Sequence, residues 1–499
     1  MTPLQFLRAA LWLVVLWSCT ACIPRRINWR EVNARSDHST LRHTSVGDII
    51  GFVEIDGTLS WVGIPYAKAP VGNLRWKAPK PFGRVDPIMF SATKYGPECP
   101  QLDENGVFTG DENCLTLNIS ARSIDDAKKP VIVWLHDGST ATGTANEWSV
   151  MRRVSSRYGV VMVAVNYRLG VLGTLKRPSL SSTDDTPADA SGNYGTLDVI
   201  EALKWVRANI GPFGGDPDKV TLFGSSEVFA VMDSPLASGL FHRLAINDGV
   251  PASVNVEAAN ALVEAQVVKL LIADGRAPNR EEAKAVFSKM GTAETANYLR
   301  AHPPEQLVTV LKGTQPAVRD GHVLAQRSGA RVPMLLGVDR CGENFERAFF
   351  REVGVDLPSD ALGGQPFLYC FGAADLPSLV LGDEKEDEPA RTRHSRTLMS
   401  YWVQFATTGD PGRGVDATLP AWPNATNEHR FMLLDVPQPS VGRETLDALL
   451  ERLWKDASFK TDEARCDVAY TLFEGVGGAT GHWTPERAAQ VAAHCPRGN

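Results

Sequence analysis

The chain has 499 residues, 43% of them hydrophobic and 22% charged, a composition ordinary for a soluble globular protein with a large buried core. A formal net charge of −7 and a pI near 5.9 exclude a nucleic-acid partner, because no basic face is available to neutralise phosphates; a small molecule or a protein is the expected partner. No CxxC pair or His/Cys cluster has zinc spacing, so neither a metal site nor a cofactor is expected.

Arg8 precedes an apolar run from Ala9 to Trp17 that is too short to span a membrane and fits the hydrophobic region of a signal peptide, so residues 1–22 are expected to direct export. Small residues lead up to Cys19 and Cys22, as in lipoprotein signals whose cysteine is acylated. Simple cleavage and retention as a short anchor are the alternatives. Destination is then the cell envelope or the extracellular space, with membrane contact only through such a lipid anchor. Residues 23–45 read as a polar lead-in, 46–475 as one large domain and 476–499 as a C-terminal tail.

Cys99 and Cys114 flank a polar loop rich in Asp, Glu and Gly that a disulfide would close, with two buried thiols as the alternative. Cys341, Cys370, Cys466 and Cys495 cannot be paired from sequence. Val131 to Leu135 and Val160 to Val165 are continuous apolar runs, the pattern of strands buried on both faces of a parallel sheet. Leu197 through Ile210 has apolar residues at helical spacing. Gly211-Pro212-Phe213-Gly214-Gly215 breaks that helix, and Val220 to Phe223 starts the next strand. This strand runs into Gly224-Ser225-Ser226-Glu227-Val228, which fits the nucleophile elbow G-x-S-x-G at Gly224 and Ser226 but not at Val228. A β-branched residue where the turn wants no Cβ should clash or force a different backbone.

Beyond the elbow, ordered blocks run along the chain. They are Gly63-Ile64-Pro65-Tyr66-Ala67 with Arg75 and Trp76, Glu112 to Asn118, Asn166-Tyr167-Arg168-Leu169-Gly170, Ser191 to Asp198, Ser234 to Arg243, and Phe405 to Pro411. Together they resemble the type-B carboxylesterases, the family of cholinesterases and bacterial para-nitrobenzyl esterases, in a degenerate form. The resemblance implies an α/β-hydrolase fold, a mostly parallel central sheet flanked by helices, here with a shortened C-terminal half. It also implies an Arg75–Glu112 ion pair and the Cys99–Cys114 disulfide.

Hydrolysis of a small carboxylic ester in that family uses a serine nucleophile, a histidine, an orienting glutamate and an oxyanion hole of backbone N–H groups. Ser226 falls at the nucleophile position, with about one helical turn missing after it; a serine that merely caps a helix is the alternative. Gly138, Ser139 and Glu227 fall at the oxyanion-hole positions, although Asp137 would set a carboxylate beside the developing charge. Glu343 lies one place beyond the acid position. Gly363 stands where the histidine belongs, Gly364 or Gln365 if the match is gapped, and Asp248 replaces a supporting serine. His394 begins an apparent helix leading to Trp402 and is a poor substitute base. Losses fall at chemistry while scaffold positions persist. Two readings follow: an inactive or strongly impaired exported protein that acts by binding, with a protein as its partner, and an active esterase using Ser226, a shifted Glu343 and an unidentified base.

Overall fold

The computed structural model describes residues 34–339 apart from 85–88, 125–127, 137–140, 148, 177–184, 248–252, 314–315 and 326–331. It also describes residues 367–371, 389–423, 430–434 and 440–443, with Cys466, Ala489, Ala493 and Cys495. Folded structure starts before residue 46, since Arg42–Thr44 pairs antiparallel with Gly47–Ile50.

An 11-stranded sheet organises these residues. In chain order its strands are β1 (Phe52–Val53), β2 (Leu59–Pro65), β3 (Thr116–Ala121), β4 (Lys129–Leu135), β5 (Val161–Val165), β6 (Gly215–Gly224), β7 (Arg243–Asn247), β8 (Met334–Asp339), β9 (Phe367–Phe371), β10 (Arg430–Leu434) and β11 (Ser440–Arg443). Their spatial order is β11-β10-β9-β8-β7-β6-β4-β5-β3-β2-β1. Every pairing from β5 across to β10 is parallel, and antiparallel strands close both ends. Parallel strands need both faces covered. The continuous apolar runs of β4 and β5 meet that need: both are buried along nearly their whole length.

Alternation along β4 divides the core. Val131, Val133 and Leu135 face one cluster with α3 (Tyr194–Asn209) and α4 (Ser226–Met232), whereas Ile132 and Trp134 join the opposite cluster with α1 (Ser149–Tyr158) and α9 (Pro389–Thr408). On that second face the Trp402 ring of α9 meets Phe223 of β6 edge-on, with centroids 4.3 Å apart. The remaining described helices are α2 (Gly170–Thr174), α5 (Val256–Ala273), α6 (Arg280–Lys289), α7 (Thr292–Ala301) and α8 (Pro304–Val310). The last four pack around Val267, Leu271, Leu299 and Leu307 in a third cluster that also takes in Val171 of α2, Leu197 of α3 and Ala230 of α4.

The turn residues act as the sequence reading expects. Helix α3 ends at Asn209, a 3-10 turn covers Gly211–Phe213, and Gly214 takes the left-handed conformation (φ 84°) that redirects the chain into β6. At Gly63 (φ 71°) an added Cβ would lie 2.2 Å from the Lys94 carbonyl oxygen, so only glycine fits there.

Candidate active site

The carboxyl ends of β4, β6, β7 and β8 lie side by side, with Phe223 opposite Trp134, Gly224 opposite Ile246, and Ile246 opposite Leu336. Crevices outside the carboxyl ends of parallel strands are where open α/β sheets bind ligands. Ser226 leaves from this edge, and so do the loops that follow Leu135, Asn247 and Asp339. Asp137, Gly138, Ser139, Asp248, Cys341, Glu343, Gly363, Gly364 and Gln365 lie outside the described residues. So do Cys19 and Cys22. At the root of the first loop, His136 is buried and stacked on Tyr167, 4.6 Å between centroids, while the Tyr167 hydroxyl donates to the His136 carbonyl at 3.1 Å.

Ser226 is the first residue of α4, and the N-cap is Ser225 (φ −115°, ψ −130°), which makes no side-chain capping bond. Ser226 is therefore not the cap that sequence offered as its bland role. Nor does it have the strained backbone of a nucleophile elbow. Positive φ among the described non-glycine residues occurs at Trp76 and Ala417, not at Ser226. Val228 explains the change. Its side chain is fully buried, its N–H donates to the Ser225 carbonyl at 3.2 Å, and its Cγ2 lies 3.2 Å from where a Gly224 Cβ would stand. The clash expected from a β-branched residue is avoided because the chain passes directly from strand to helix, and Gly224 provides the space.

Glu227, whose backbone N–H is the expected oxyanion donor, has its side chain turned into the protein interior. Its carboxyl is buried between α4 and α3, where Oε1 accepts from the Thr196 hydroxyl at 2.8 Å. Burial pushes this acid up to about 7; the Thr196 bond opposes the rise and the nearby Asp198 carboxylate adds to it. Asp198 itself is held by Arg168 through two bonds of 2.7 Å, both residues being buried. At the other end of α4, Arg319 donates to its C-cap, Asp233, at 2.6 Å. Thr196, Arg168 and Asp198 thus support the helix that carries Ser226. The sequence blocks contained all three, and Asp198 set between Leu197 and Val199 in the apolar spacing of α3 was the available sign of a buried pair.

Among the described histidines, His302 bonds Asp274 (2.9 Å) and the Tyr298 carbonyl (2.8 Å), His43 bonds Asp48 (2.7 Å), and His242 bonds the Val220 amide (3.2 Å). His394 lies within α9, five residues into the helix rather than at its start. The scaffold expectations are met. Arg75 bridges to Glu112 at 2.6 Å and continues to the His302 carbonyl at 2.7 Å. Cys99 is disulfide-bonded to Cys114, and Cys466 to Cys495, a pairing that sequence left open.

A parallel sheet with helices on both faces and a serine at the turn after a central strand defines an α/β-hydrolase. The chain belongs to the carboxylesterase family, whose model matches residues 38–350. It is 33% identical to para-nitrobenzyl esterase of Bacillus subtilis over 60% of this chain and 62% of that protein. It is 27% identical to pyrethroid hydrolase Ces2a of Mus musculus over 86% of this chain and 93% of that protein. A crystal structure of a Geobacillus stearothermophilus carboxylesterase superposes with a TM-score of 0.66 at 25% identity, covering 82% of this chain and 99% of that one. The family hydrolyses small carboxylic esters with a serine.

Proposed function

We propose that this chain is a carboxylesterase-family protein of the cell envelope or exterior whose ester-hydrolysing centre is inactive or strongly impaired, and that it acts by binding. The observation that carries the reading is Ser226 at the start of a regular helix, with Val228 packed where the elbow requires open space. An elbow nucleophile works because a strained turn holds its oxygen out above the sheet; relaxing the turn removes that presentation. Gly363 at the position of the base supports the same reading. Two disulfides support an oxidising destination, as does the leader-like segment at residues 1–22.

Turnover of para-nitrophenyl acetate and labelling by a fluorophosphonate test this proposal, with folding verified by circular dichroism. The expected result is a folded protein with neither activity. Labelling and turnover that both disappear in Ser226→Ala would overturn it in favour of an active esterase.

A further inference from the structure

At the end of the sheet opposite Ser226, β6 is irregular. Its pairing with β4 shifts register between Gly215 and Val220, so that Asp216 to Lys219 bulge out, and its pairing with β7 starts only at Thr221 opposite Arg243. Val220 is fully buried just ahead of that start. Its two backbone groups are both satisfied by His242, the residue before β7: the His242 N–H donates to the Val220 carbonyl at 2.8 Å, and the Val220 N–H donates to His242 Nδ1 at 3.2 Å. The imidazole thus stands in for a strand carbonyl and extends the β6–β7 ladder by one residue.

A backbone N–H can be accepted only by a ring nitrogen that carries no proton, so the bond requires the neutral ring with its proton on Nε2. Protonation would set one N–H against another and leave the Val220 donor buried without a partner. The charged groups facing the ring come from three elements: Asp216 and Asp218 from the β6 bulge, Arg243 from β7 and Arg207 from α3. The carboxylates favour the imidazolium and the guanidiniums oppose it. Burial, the largest influence, lowers the His242 pKa further, in agreement with the geometry.

We propose that His242 is an acid-released latch: neutral, it closes the β6 bulge onto β7, and protonated, it lets residues 215–220 detach locally while the rest of the sheet stays folded. Such a device gives one end of the central sheet a reversible response to acidification. It does not depend on whether Ser226 reacts.

Hydrogen–deuterium exchange at pH 7.5 and 5.0, corrected for the intrinsic pH dependence of exchange, reads the latch directly. In the full-length protein, peptides covering 215–222 should lose roughly ten- to thirtyfold protection on acidification, the limit being set by pH 5.0 lying about 1.5 units below the pKa of an ordinary imidazole. Peptides covering Val161–Val165 of β5 should not change. His242→Asn places a non-titrating amide oxygen near the Nδ1 position and should abolish the difference, while His242→Leu, with no acceptor, should be unprotected at both pH values. Equal protection of the wild-type bulge at both pH values overturns the proposal. So does an equal loss in β5, or a His242→Asn variant that responds like the wild type.

Discussion

Glu227→Gln provides a quantitative test of how α4 is seated. The Glu227 carboxyl is buried against α3, bonded to Thr196, and its pKa is raised from 4.5 to about 7. Between those values the native protein keeps a proton that the unfolded chain has released, so this group's contribution is fully present below pH 4.5, is lost as pH rises towards 7, and is absent above it. At about 1.4 kcal/mol per tenfold, the displacement corresponds to a penalty on the order of 3 kcal/mol for burying the carboxylate at pH 8. Glutamine keeps the acceptor for Thr196 and never ionises. The variant should therefore be about 2–3 kcal/mol more stable than the wild type at pH 8, with the advantage vanishing towards pH 4.5. Urea unfolding of both proteins across this range measures it. A variant no more stable than wild type at pH 8, or a gain that is the same at every pH, would refute the assignment of Glu227 as a buried acid without a balancing cation.

Arg168→Met should cost about 3–5 kcal/mol because it leaves Asp198 charged and buried, whereas the paired Arg168→Met/Asp198→Leu change should cost distinctly less; equal losses in chemical denaturation would show that the pair is not fully coupled. Cys99→Ser/Cys114→Ser opens a loop with a sequence separation of 15 and should lower stability by about 3 kcal/mol in urea unfolding under non-reducing conditions, where Cys466–Cys495 stays closed in both proteins; equal stability of variant and wild type would refute it.

Much of the scaffold is legible from local pattern, and the reasons mark where legibility ends. Strands β4 and β5 announce themselves because a strand buried on both faces must be apolar at consecutive positions, and α3 stops where Gly211-Pro212 and Gly214 break it. Arg75–Glu112 and Cys99–Cys114 were legible through resemblance, whereas nothing near Cys466 identifies Cys495 as its partner. The elbow is the instructive case. Reading Val228 as a clash assumed the backbone of an elbow, but backbone and side chain adjust together: once a helix starts at Ser226, Val228 becomes an ordinary core residue packed against Gly224. Glu227, which follows Ser226, reaches into the α3–α4 interface, where burial raises its carboxyl pKa and the bond from Thr196, 31 residues earlier in the chain, opposes the rise. A one-dimensional motif assigns Glu227 a backbone donor beside the reacting carbon. The folded chain adds a buried structural position for its carboxyl, which the motif does not foresee because Thr196 belongs to a different helix.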